Sequence, residues 1–176
     1  MTTVWKVDPS HSEVQFKVKH LMITTITGNF GTYDLEVETE GDDFTKSSMI
    51  SFSATVDSIS TNNEQRDGHL KSEEFFDAKR YPAILFEGHK FENKGEDYSV
   101  TGDLTIKGVT KPITVDVEYG GIAVDPYGQT KAGFSLSGKI RRKLFGLTWE
   151  GITEAGNIVV SDEIKFIAEV QLIKQN

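Results

Sequence analysis

The side chains that could carry chemistry are few and scattered. His11, His20, His69 and His89 fall in four separate segments, none spaced i, i+2 or i, i+4. A metal site built on them would need all four segments to converge. Hydrogen bonding at strand ends and loops is the simpler reading of each. Gly133-Phe134-Ser135-Leu136-Ser137 comes close to the nucleophile elbow of a hydrolase, but Ser137 stands where the second glycine belongs. The run also alternates like a strand, whereas an elbow is a strand-to-helix turn. Asp8, His11 and Ser12 are the types of an acid–base trio, yet Asp8-Pro9-Ser10 also opens a turn in which the carboxylate bonds nearby amides. Walker, GxGxxG and HExxH patterns are missing. With no cysteine, thiolate metal sites, iron–sulfur clusters, disulfides and a thiol nucleophile are excluded. The expectation is a protein with no catalytic residue, no metal site and no cofactor.

Charge narrows the partners. Lys and Arg total 19 against 27 Asp and Glu, a net charge of −8. That balance argues against nucleic acid and against electrostatic docking on anionic membranes. Residues 34–43 carry acids and no base, which reads as a repelling, solubilising surface. The basic run Lys139-Ile140-Arg141-Arg142-Lys143 interrupts this acidity. It reads as a solvated strand end or as an anchor for an anionic head group or partner.

The elements that must position these residues show themselves by alternation. Val14, Phe16 and Val18 share one face, as do Ile50, Phe52, Ala54 and Val56, and Ile113, Val115, Val117 and Tyr119. Ile164, Phe166, Ala168, Val170 and Leu172 form a longer stripe; weaker ones cover Phe30 to Val37, Ile84 to Phe91, Val100 to Ile106 and Phe134 to Ile140. Period 2 places one face in an apolar interior and the other in water. Gly108 to Pro112 reads as a hairpin turn. Residues 61–80 break the pattern: Thr61, Asn62, Asn63 and Ser72 are capping types, and Tyr81-Pro82 ends any helix. A short helical segment at about 61–80 therefore lies across one end of an all-β, single-domain fold spanning 1–176. About eight antiparallel strands of this kind avoid exposed edges by closing into a barrel. Such a barrel is either filled by side chains or holds one small ligand.

Taking the more apolar side of each strand as inward, the interior contains Phe16, Val18, Phe52, Ala54, Phe86, Leu104, Ile106, Val115, Val117, Phe134, Leu136, Phe166 and Ala168. The N-terminus lacks the basic flank and apolar run of a secretory signal, and no segment approaches the ~20 apolar residues of a membrane span. The expected compartment is the cytoplasm, with the periplasm as alternative, and no stable membrane insertion.

Several segments resemble one family in order and spacing. They are Trp5 to Ser12, His20-Leu21 followed by Gly28-Asn29-Phe30, and Arg66-Asp67 with His69-Leu70. Next come Glu74 to Asp77, Tyr81-Pro82 with Phe86, Gly102 to Pro112, and Arg142-Lys143 before Phe145-Gly146. This set is similar to the YceI family of bacterial lipid-binding proteins. The resemblance implies a lipocalin-like, extended eight-stranded antiparallel β-barrel. It also implies that the interior binds a polyisoprenoid or similar amphiphile, such as an isoprenoid quinone or polyprenyl phosphate, and that the protein is a homodimer. On that reading Leu70, Phe75 and Phe76 of the helical lid join the inward residues as ligand contacts. Arg66, His69 and Lys71 are head-group candidates, Arg66 because its planar fork suits oxygen pairs; the other reading has Arg66 pair with Asp67 or the rim. An enzyme acting on such a lipid, or a filled barrel serving as a scaffold, remain the alternatives.

Overall fold

The computed structural model describes residues 1–149, 151 and 159–176. In chain order its elements are β1 (Thr2–Val7), β2 (Glu13–His20), β3 (Thr24–Phe30), β4 (Tyr33–Glu40), β5 (Asp43–Thr55), β6 (Ile59–Ser60), α1 (Glu64–Lys71), β7 (Ala83–Lys94), β8 (Asp97–Ile106), β9 (Val109–Val124), β10 (Thr130–Arg141) and β11 (Val160–Lys174). One sheet holds every strand, in the order β1-β4-β5-β7-β8-β9-β10-β11-β2-β3-β6, and a further β1–β11 pairing closes it. The closed ring β1-β4-β5-β7-β8-β9-β10-β11 is an eight-stranded antiparallel barrel, as the alternation leads one to expect.

The extra strands arise from breaks in long ones. β11 pairs first with β2, through Phe166↔Phe16 and Ala168↔Val14, and then with β1, through Leu172↔Val7. β1 and β2 are therefore successive pieces of one wall, interrupted by a 3-10 turn at Pro9–His11. β3 likewise gives way to β4, and a 3-10 turn at Val56–Ser58 divides β5 from β6. These breaks lengthen the barrel beyond its closed ring.

The first break explains the Asp8 cluster. Asp8 caps the turn, its carboxylate accepting from the Ser10 amide at 3.1 Å and the Ser10 hydroxyl at 2.7 Å. His11 Nδ1 lies 2.8 Å away, and Lys131 Nζ on β10 donates to the same carboxylate at 2.8 Å. Asp8 and Lys131 form a largely buried pair, braced from the exposed side by Ser10 and His11. The Lys131 ammonium, outweighing burial and joined by Ser10 and His11, holds the Asp8 carboxyl well below the usual range.

Local physics accounts for the strands. In β4 the inward Leu35, Val37 and Thr39 are buried, while the acids between them face outward, as the solubilising reading of residues 34–43 requires. Two expectations change. The β8–β9 hairpin turns on Lys107 and Gly108 alone, both at positive φ, so Val109 to Pro112 already belong to β9. The helix covers Glu64 to Lys71 only. Asn63 is its N-cap, accepting from the Arg66 amide at 3.0 Å, and Ser72 is its C-cap. Hydrogen-bonded turns, not helix, carry the chain on to Tyr81.

A hollow apolar barrel as candidate binding site

The barrel interior contains a cavity of about 400 Å³, within the range of ligand pockets. Phe16, Val18, Phe52, Ala54, Phe86, Leu104, Ile106, Val115, Phe134, Leu136, Phe166 and Ala168 line it from the strands, and Leu70, Phe75 and Phe76 line it from the lid.

Glycines opposite the rings keep the lumen hollow. Phe16 faces Gly28 across β2–β3, and Phe166 faces Gly138 across β10–β11. A Cβ at Gly28 would stand 2.2 Å from the Phe16 ring, and one at Gly138 would stand 2.3 Å from the Phe166 ring. With only hydrogen on the neighbouring strand, each ring lies against the wall and leaves the centre open.

The two ends differ. One is plugged by aromatic rings around Phe44, which packs 5.0 Å from Trp5, 4.9 Å from Phe134, 5.7 Å from Tyr119 and 6.2 Å from Phe91. Burial pushes the Tyr119 phenol above its ordinary pKa, with nearby Tyr98, Asp42 and Asp43 adding to it. Val117 belongs to this end. It is 1% exposed and packed in the core, and it is not among the cavity-lining residues. Alternation gives a residue's face but not its depth along the barrel, which is why Val117 was expected in the lining.

Polar groups reach the cavity at the lid end. Arg66 donates from Nε to Thr61 Oγ1 at 2.7 Å and from Nη2 to the Thr61 carbonyl at 2.6 Å. Asp67 accepts from the Thr61 amide and hydroxyl, so helix and strand end are tied twice. Arg66 is thus tied to the rim through Thr61 rather than to Asp67, and it also lines the cavity. His69 also lines it, bonded to Glu74 and set edge-on to Phe75 at 5.1 Å and Trp149 at 4.8 Å. Lys71 does not line the cavity: its ammonium turns outward to Asp57 at 3.6 Å, because helical spacing carries it past the inward side that Leu70 occupies.

Sequence reasoning missed several lining residues. His20 extends the Val14, Phe16, Val18 stripe into the cavity, and its ring has no hydrogen-bond or ion-pair partner among the described residues; the alternation itself was the signal. Arg142 left no such signal, sitting in a run that read as a solvated strand end or an anionic anchor. It is 1% exposed. Its guanidinium donates to the carbonyls of Ser161 (2.8 Å), Leu147 (2.6 Å), Trp149 (2.6 Å) and Val160 (3.1 Å). Burial draws its pKa down and Asp162 partly restores it. This clamp holds Leu147 and Trp149, both lining residues, against the start of β11.

The elbow serine and the remaining histidine lie away from the cavity. Ser135 Oγ donates to Glu169 at 2.7 Å across the β10–β11 pair, and His89 pairs with Asp103 at 2.8 Å.

Residues 5–172 match the model of the YceI-like domain. The chain belongs to that family. A UPF0312 protein of Staphylococcus aureus strain N315 is 37% identical over 173 residues, covering 96% of each chain. One from Staphylococcus epidermidis is 34% identical over 177 residues, covering 99% of each. Among solved structures, the Campylobacter jejuni YCEI protein superposes with a TM-score of 0.75 at 35% identity, covering 90% of both chains. Burkholderia cenocepacia BcnA gives 0.80 at 23% identity, covering 94% of this chain and 98% of its own. A polyisoprenoid binding domain from Saccharophagus degradans gives 0.72 at 14% identity, covering 97% and 98%. The YceI-like fold is thus shared along nearly the whole chain.

Proposed function

We propose that this protein binds the hydrocarbon tail of a polyisoprenoid or similar amphiphilic lipid inside the barrel, with the head group at the lid end. The observation that carries the reading is the hollow lumen: an apolar cavity, plugged at one end by aromatic rings and edged at the other by Arg66, His69 and His20. The name of the Saccharophagus degradans domain agrees with it. Each buried CH₂ contributes about 0.8 kcal/mol before the costs of association. Two or three isoprene units therefore approach the roughly −8 kcal/mol of a micromolar complex. An isoprenoid quinone or a polyprenyl phosphate fits the polar end. Arg66 spends two donors on Thr61 and keeps others of its fork for a head-group oxygen. The role is to solubilise, store or deliver the lipid, and no chemical step is assigned.

Mass spectrometry of gently purified protein, followed by titration of the emptied chain with a prenol, tests the reading. A co-purified prenyl lipid and saturable uptake are expected. An empty protein that takes up no prenol would overturn it.

A further inference from the structure

The outer face of the same wall carries charge that binding inside the barrel does not use. On β2, β11 and β10 the inward Phe16, Phe166 and Leu136 alternate with outward Lys17, Lys165 and Lys139. The register sets Lys17 opposite Lys165, and Lys165 opposite Lys139. Three lysines thus stand abreast on one face of a chain whose net charge is −8. Like charges paired across strands are destabilising, so the row works against the sheet. Lys19 and Arg141 follow on the same wall towards the lid end. The acids beside them are Asp162, 2.9 Å from Arg141, and Glu163, 3.8 Å from Lys139.

Beyond the cations the β2–β3 hairpin ends in bulky apolar residues. Leu21 and Met22 hold φ of 53° and 61°, and the Ile23 amide donates to the His20 carbonyl at 3.1 Å. Such two-residue turns favour Asn and Gly; side chains this large are strained there. Met22 is 60% and Ile23 76% exposed, and Leu144, beside Lys143, is 52% exposed. Leu21 and Met22 line one groove with four lysines, Lys17, Lys19, Lys143 and Lys165, against two acids, Asp162 and Glu163. The tip sits at the lid end of the cavity. His20 lines that cavity, and the Leu21 amide donates at 2.8 Å to the carbonyl of Val159, another lining residue.

We propose that this face docks on the surface of an anionic lipid bilayer. Met22 and Ile23 enter the interfacial layer while the lysine row meets head-group phosphates. Charge complementarity selects the occupant: a cationic rim around an exposed apolar tip matches the amphipathic boundary of a bilayer. The overall acidity speaks against membranes only when charge is averaged over the molecule, and the register concentrates cations on one wall. If the cavity holds lipid, as proposed above, docking here brings its lid end against the bilayer. This alignment rests on lipid in the cavity; the docking itself does not.

Co-sedimentation with phosphatidylcholine vesicles, with and without phosphatidylglycerol, tests the proposal on the full chain. Salt-sensitive binding to the anionic vesicles is expected. It should weaken about fivefold for each lysine neutralised, so K17Q/K139Q/K165Q loses on the order of a hundredfold. M22S/I23S should lose binding as well; neither variant should melt below the wild type, and the lysine variant should gain slightly as the paired like charges go. No binding by the wild type, equal binding to neutral vesicles, or binding unchanged in both variants would overturn the proposal. Prenol uptake is measured in parallel. Its absence beside intact vesicle docking would overturn the cavity reading and leave the docking face standing.

Discussion

Asp8 and Arg142 show how single charges are used inside a mostly apolar wall. Asp8 is held by Lys131, Ser10 and His11, and its carboxyl titrates below its unfolded value of about 3.9. Such a group contributes stability above the unfolded pKa and loses it as pH falls towards the folded value. Lys131, raised by Asp8, has the opposite sign: its contribution holds below about 10.4 and is lost only as pH rises through its folded value. The melting-temperature gap between wild type and Asp8→Asn is therefore expected to be several degrees at pH 7, to narrow steadily below about pH 5 and to be still narrowing at about pH 2. A gap that ignored pH would contradict the brace. Among the described residues Arg142 is held by backbone carbonyls rather than by a carboxylate. Replacing it with Ala strands several buried acceptors, at a cost of at least about 3 kcal/mol, which lowers the melting temperature by roughly 6–12 °C. Arg142→Lys should fail nearly as badly, since an ammonium cannot reproduce the planar fork. Thermal denaturation of both variants checks this.

Among the elements, the paired strands set the shape of the lumen and the lid sets its polar end. A Cβ at Gly138 meets the far end of the Phe166 ring, which lines the cavity and must shift. Gly138→Val is thus expected to fill the lumen. Prenol affinity should drop at least tenfold while the melting temperature moves by only a few degrees; affinity unchanged in a folded variant would show that the ring does not control the space. The lid hangs on the Thr61–Arg66–Asp67 ties. Arg66→Ala should lower the melting temperature slightly. It should also weaken a polyprenyl phosphate by about one to three kcal/mol, the value of a charged hydrogen bond, with the uncharged prenol almost unaffected. Equal losses for both ligands in calorimetric titrations would assign Arg66 to holding the lid alone.

Over the whole molecule, what could be read from the sequence was whatever repeats locally. Ile164 to Leu172 displays its inward stripe in nine consecutive residues, and every member of that stripe lines the cavity. The pleat imposes period 2 on each strand by itself, so strand positions, inward faces and closure into a barrel follow from neighbouring residues. Tertiary structure decided the rest, because it depends on which distant residues end up side by side. Register places Gly28 under Phe16 and Gly138 under Phe166, and so settles that the barrel is hollow rather than filled. Position along the barrel axis, which alternation does not encode, puts Val117 at the plugged end. The return of the chain into β11 buries Arg142 within a run that reads as a solvated strand end or an anionic anchor. The same register lines up Lys17, Lys165 and Lys139 from three strands. Charge summed along a chain has no direction; folding turns it into a basic wall on an acidic protein.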